Sequence, residues 1–187
     1  MLNATILIAQ IPTNDEPGSA IPIKVVPNGK AALIVKGTTA NASATRQPHM
    51  VNKPSVCGCK TFVAASPNDV WYVIKTRSFK SIQLTVNSSK YFGAPGFLRL
   101  YKDISLNSQP VQCFCSSSSS KSLGTVTANN LLPNTTYYLA VSPIIGTDGF
   151  WGTFNINIFG SSDATYPYNS TIKDLNEKPN LNKKGNY

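Results

Sequence analysis

Apolar and polar residues alternate with a period of two along much of this chain. In Ser81-Ile82-Gln83-Leu84-Thr85-Val86 the apolar members fall on one face, and in Gly152 to Ile158 the same holds for Phe154, Ile156 and Ile158. Such alternation predicts strands with one face on a core. Phe97 to Tyr101 reads likewise, with Leu98 and Leu100 inward and Arg99 outward. Val111 to Cys115, Leu123 to Thr127 and Tyr137 to Val141 are further short strands. Asp69 to Lys75 is apolar on both faces, with Trp71 and Tyr72 on opposite sides, which predicts a central strand. Upstream, Thr5 to Ala9 reads as a first strand. Ile21 to Val26 and Ala31 to Lys36 flank Pro27-Asn28-Gly29-Lys30, and Asn-Gly between two apolar runs predicts a hairpin because both residues tolerate positive φ. Pro133-Asn134-Thr135-Thr136 is a turn that feeds Tyr137. Gly37 to Pro54 and the serine run Ser116 to Ser120 read as mostly loop.

About ten short strands at this spacing predict an all-β fold, an antiparallel β-sandwich of jelly-roll-like character. Composition agrees. The chain has 187 residues, 41% of them apolar and only 13% charged, with 13 prolines and 12 glycines, so long helices are disfavoured. The pattern places a sandwich domain at residues 1–160. From Ser161 to Tyr187 aliphatic residues are few and lysine and asparagine frequent, which predicts an extended basic tail or linker. At the start, Met1-Leu2-Asn3 carries no positive side chain, and Ala4 to Ile11 is interrupted by Thr5 and Gln10. That segment reads as a strand and not as a signal peptide or a membrane span.

The net charge of +9 is spread over single lysines, and arginine is confined to Arg46, Arg77 and Arg99. A nucleic-acid interface would cluster its cations and interleave aromatics, so no specific nucleic-acid partner is expected. His49 is the only histidine, and no nucleophile motif accompanies it. No catalytic residues are therefore assigned, and a non-enzymatic role is expected. Two Cys-x-Cys pairs, Cys57/Cys59 and Cys113/Cys115, would each present both sulfurs on one face of a strand. Three outcomes fit: disulfides between the two segments, buried free thiols, or a four-thiolate metal site whose spacing is tighter than usual. Asp15, Asp103 and Asp148 fall in predicted loops. They are candidate calcium ligands, against the competing role of turn-forming side chains that bond nearby backbone; no other cofactor is expected. Tyr91, Phe92, Phe150 and Trp151 lie at strand ends, where an exposed ring would stack on a sugar or anchor a protein contact and a buried one would cap the core. Asn3, Asn41, Asn87, Asn134 and Asn169 sit in Asn-x-Ser/Thr sequences, acceptors in a glycosylating compartment.

Several motifs occur in a telling order: Asn14-Asp15-Glu16 with Ala20-Ile21-Pro22-Ile23, Asp69-Val70-Trp71-Tyr72, Leu98-Arg99-Leu100-Tyr101, the Cys113 region, Leu132 to Val141, and Gly152 to Ile156. In this order and spacing, from about Pro12 to Gly160, the chain resembles the secreted β-sandwich modules common in Bacteroidetes, akin to the bacterial pre-peptidase C-terminal domain. Pro17 stands where such modules usually carry a cysteine. The resemblance implies a non-catalytic appendage of an exported or cell-surface protein, one that contacts a glycan or protein surface. The alternative is a structural assembly protein, such as a minor virion component or a surface-filament subunit, whose tail contacts neighbouring subunits.

Overall fold

The computed structural model describes residues 10–31, 33–43, 69–88, 95–105, 108–115, 124–143 and 152–161. Ten strands occur among them: β1 Ile21–Ile23, β2 Val26–Pro27, β3 Val35–Thr38, β4 Val70–Lys75, β5 Ser81–Asn87, β6 Pro95–Tyr101, β7 Pro110–Cys115, β8 Gly124–Ala128, β9 Thr136–Pro143 and β10 Thr153–Ser161. They form two sheets. The first, here sheet A, runs β1-β4-β9-β6-β7; the second, sheet B, runs β2-β10-β5-β8, with β3 also paired to β10. The molecule is a β-sandwich. The expected strand at Thr5 to Ala9 and the expected tail after Ser161 lie outside the described residues.

Alternation sets the core. From sheet A come Val70, Tyr72, Ile74, Leu98, Leu100, Tyr137, Leu139 and Val141; from sheet B come Ile82, Leu84, Val86, Ala128, Phe154, Ile156 and Ile158. All are buried, and each large side chain withdrawn from water contributes about 1.5–3 kcal/mol. The sheets meet at Tyr72 and Phe154, edge to face at 6.3 Å between ring centroids. Gly37 on β3 lies over this pair, and a Cβ there would collide with the Tyr72 hydroxyl and the Phe154 ring. Gly160 makes the same room for the Phe79 ring.

Three expectations need correction. Asn28-Gly29 does turn the chain, with Gly29 at φ +81° and the Lys30 N–H donating to Pro27 O at 3.2 Å. The flanking segments nevertheless form no hairpin. β2 pairs parallel with β10 at Phe159 and Gly160, and β3 pairs antiparallel with β10 from Thr153 to Ile156. A long strand offers more ladder bonds to each short segment than they offer each other. The sheets are accordingly mixed rather than purely antiparallel, since β1 also pairs parallel with β4. The third correction concerns Arg99: it leaves the main core but does not reach water, being 4% exposed.

The turn before β9 is held from two sides. Thr76 Oγ1 donates to Leu132 O at 2.7 Å and accepts from the Thr135 N–H at 3.1 Å. The Tyr137 hydroxyl accepts from the Leu132 N–H at 3.0 Å, five residues upstream. Asn130 and Asn134 take the left-handed backbone positions, at φ +57° and +52°, which asparagine tolerates better than most residues. This arrangement resembles the tyrosine corner of other sandwiches.

Candidate functional site

The two outer faces of the sandwich differ in chemistry. On sheet A the outward row of the four strands β4, β9, β6 and β7 is Trp71, Ala140, Arg99 and Cys113. The rows beside it hold Val73, Tyr138 and Tyr101, and Ser142, Phe97 and Cys115. Trp71, Tyr101, Arg99, Ala140 and Ser142 are all buried, as is Asp69 just ahead of β4. A second, smaller apolar cluster joins Trp71, Tyr101 and Ala140 to Ala20, Ile104 and Tyr138. The Trp71 and Tyr101 rings stack at 5.5 Å with a 38° tilt. Asn14 ties the N-terminal turn to this face: its Nδ2 donates to Trp71 O at 2.9 Å, and its carbonyl accepts from the Trp71 N–H at 2.8 Å.

A buried ion pair crosses the face. Arg99 Nη2 donates to Asp69 Oδ2 at 2.6 Å and to Ser142 Oγ at 3.3 Å, and the guanidinium lies 5.4 Å from the centre of the Phe97 ring. Both charges have left water, so their attraction is spent largely on desolvation, and loss of one partner would cost about 3–5 kcal/mol. Burial raises the Tyr101 hydroxyl above its usual range; the nearby Arg99 charge pulls the other way and Asp69 adds to the rise. The charged and aromatic members of this cluster are closed to solvent.

Cys113 and Cys115 point to the same face, and each is disulfide-bonded. Cys57 and Cys59 lie outside the described residues, as do Tyr91, Phe92, Phe150, Trp151, His49 and Asp148. The two described calcium candidates are both engaged locally. Asp15 accepts from the Ser43 backbone N–H and hydroxyl. Asp103 accepts from the Ser105 N–H at 3.0 Å and the Ser105 hydroxyl at 2.6 Å, and those two bonds hold its carboxyl below the usual range. Among the described residues no three His, Cys, Asp or Glu side chains gather as a metal site.

Among the described residues the outer face of sheet B is the more exposed one. Its cross-strand rows are Lys36, Asn155 and Asn87; then Asn157, Thr85 and Thr125; then Phe159, Gln83 and Thr127. All are exposed or half-exposed. Apart from Lys36 at one margin, every member of these rows is uncharged. Thr85 and Thr125 hydroxyls bond across the strands at 2.9 Å. Asn157 Oδ1 is sheltered from solvent and has no hydrogen-bond partner among the described residues. Two shallow hollows open along this sheet. One is lined by Phe159, Gln83, Thr127, Asn28, Ser81, Gly160 and Ser161; the other by Lys36, Gly37, Asn87, Thr153, Phe154 and Asn155. Sequence reasoning missed this surface. Its signal was present in the outward members of the alternating strands, Gln83, Thr85 and Asn87 on β5 and Asn155, Asn157 and Phe159 on β10.

The sequence matches no protein-family model, and no curated protein matches it significantly. Among solved structures the chain is similar to the pre-peptidase C-terminal domain of collagenase from Bacillus anthracis. Identity is 16% and the TM-score 0.41, over 74% of this chain and 93% of that one. It is also similar to PliG of Aeromonas hydrophila, a periplasmic inhibitor of g-type lysozyme. There the identity is 8% and the TM-score 0.42, over 74% of this chain and 95% of that one.

Proposed function

We propose that this chain is a non-enzymatic binding module of an exported or cell-surface protein, and that it attaches through the outer face of sheet B. The observation that carries the reading is the uncharged ladder of carboxamides and hydroxyls from Asn155 and Asn87 through Asn157, Thr85 and Thr125 to Gln83 and Thr127. Such a face offers many hydrogen-bond donors and acceptors in fixed register, at a strand spacing of about 4.8 Å. It offers no general base beside a nucleophile. An exported setting is supported by the disulfide-bonded state of Cys113 and Cys115, because such bonds persist in oxidising compartments. No helix among the described residues is long and apolar enough to cross a membrane. The same disulfide-bonded cysteines weigh against an assembly subunit made and kept in a reducing compartment.

The test is retention of the purified chain on a panel of surfaces: insoluble polysaccharides, cell-envelope fractions and matrix-protein coats. Asn155→Arg combined with Thr127→Arg crowds the open face without touching the core. Retention on whichever surface holds the wild type is expected to fall at least about tenfold, at an unchanged melting midpoint. Full retention by the double variant would sink the assignment of the face.

A further inference from the structure

We infer that the occupant of this face is a neutral polysaccharide, with one sugar ring seated on Phe159; the inference rests on the binding-face reading above. Four observations lead to it. Phe159 is the aromatic member of the ladder, and it is partly exposed beside a hollow that Gln83, Thr127 and Asn28 also line. A ring with an apolar face and a hydroxyl rim complements an aromatic platform framed by amide and hydroxyl groups, because the platform takes the C–H face and the frame takes the rim. The frame holds no charge, although the whole chain carries +9. A polyanion would select lysines, and of the described lysines only Lys36 is a member of these rows, at the far one. A protein epitope is disfavoured for a different reason: apart from Phe159 the rows lack the large apolar anchors that centre such contacts.

The fourth observation is Asn157 Oδ1, sheltered and unpartnered one step along β10 from the platform. A buried acceptor left unpaired costs about 1–3 kcal/mol, and turning the Asn157 side chain outward would let a ligand hydroxyl remove that cost. The ladder also has length. Asn155, Asn157 and Phe159 repeat along β10 at about 6.6–6.8 Å, so a linear chain laid along the strand meets a carboxamide at two steps and an aromatic ring at the third.

Affinity electrophoresis of the full chain tests this, in gels containing mixed-linkage β-glucan, xyloglucan or galactomannan, with heparin and dextran sulfate as charged comparators. Retardation is expected in at least one neutral gel and is expected to be insensitive to salt. Phe159→Ala and Gln83→Ala should each weaken it about tenfold, with far-ultraviolet circular dichroism and melting midpoint confirming the fold. Phe159→Trp, which keeps a platform, should retain it. Retardation only by the charged polymers, screened by salt and indifferent to Phe159, would overturn the inference. So would loss of retardation when the chain is truncated after Ser161, which would move the binding to the tail. If no neutral polymer retards the wild type while Asn155→Arg with Thr127→Arg still abolishes surface retention, the polysaccharide assignment falls and the face reading stands. If the double variant binds everything the wild type binds, the face reading falls too.

Discussion

Tyr72 shows how one residue joins packing to titration. Its ring closes the core against Phe154, and its hydroxyl faces the backbone of Gly37. Burial pushes that hydroxyl up to about 12, an effect that the Asn14 side chain offsets only in part. In the unfolded chain a tyrosine ionises near pH 10. Between about pH 10 and 12 the unfolded state has therefore lost a proton that the folded state keeps, and stability falls as pH rises. The contribution is complete below pH 10 and gone above about 12, a change of about 3 kcal/mol. Urea denaturation across this range should show a steep alkaline loss in the wild type and a shallower one in Tyr72→Phe, in which Tyr101 stays raised by burial. Parallel slopes in the two proteins would refute the account. The sequence exposed the position of Tyr72, since alternation alone put it opposite Trp71. It could not expose the proton, because burial and Asn14 both come from other elements.

Among the elements, β4, β5, β6, β9 and β10 were legible, because each carries two or three inward apolar residues at alternate positions. β2 and β3 were not: Val26–Pro27 and Val35–Thr38 are short, and local turn chemistry at Asn28-Gly29 pointed to a pairing that the long edge of β10 outcompeted. Arg99 was misread for a related reason. Alternation tells which face a residue takes, and it does not tell whether that face is covered. The turn from Leu131 to Thr136 is the case where local and tertiary signals agree. Its Pro-Asn-Thr-Thr sequence bends the chain, and Thr76, some 55 residues earlier in sequence, clamps it. Thr76→Val keeps the shape and removes the hydroxyl, leaving the Leu132 carbonyl and Thr135 N–H to find other partners. A loss of about 1–3 kcal/mol is expected, read as a lower urea midpoint at unchanged slope. An unchanged midpoint would mean that water satisfies the turn and that the clamp is dispensable.

At the scale of the whole molecule the disulfide-bonded cysteines of β7 matter most. Cys113 and Cys115 stand two apart on β7, so their Cα atoms are about 6.7 Å apart, at the upper limit of what a disulfide spans. A bridge from one to the other would have to pucker a strand that pairs regularly with β6 from Phe97 to Leu100. The remaining cysteines of the chain are Cys57 and Cys59, and we infer that the two pairs are bridged to each other. The first such bridge closes a loop of more than fifty residues, which removes about 4 kcal/mol of conformational freedom from the unfolded chain. The second adds little, since it closes a loop of only a few residues once the first exists. Cys113 and Cys115 lie on the face that already holds the Asp69–Arg99 pair and Trp71. Non-reducing peptide mapping should recover the 57–59 and 113–115 segments as one linked species. Reduction should lower stability by about 4 kcal/mol, and Cys113→Ser alone should cost less than Cys113→Ser with Cys115→Ser, because the surviving bridge still closes the long loop. Equal losses from the single and double variants, or a midpoint unmoved by reductant, would contradict the pairing.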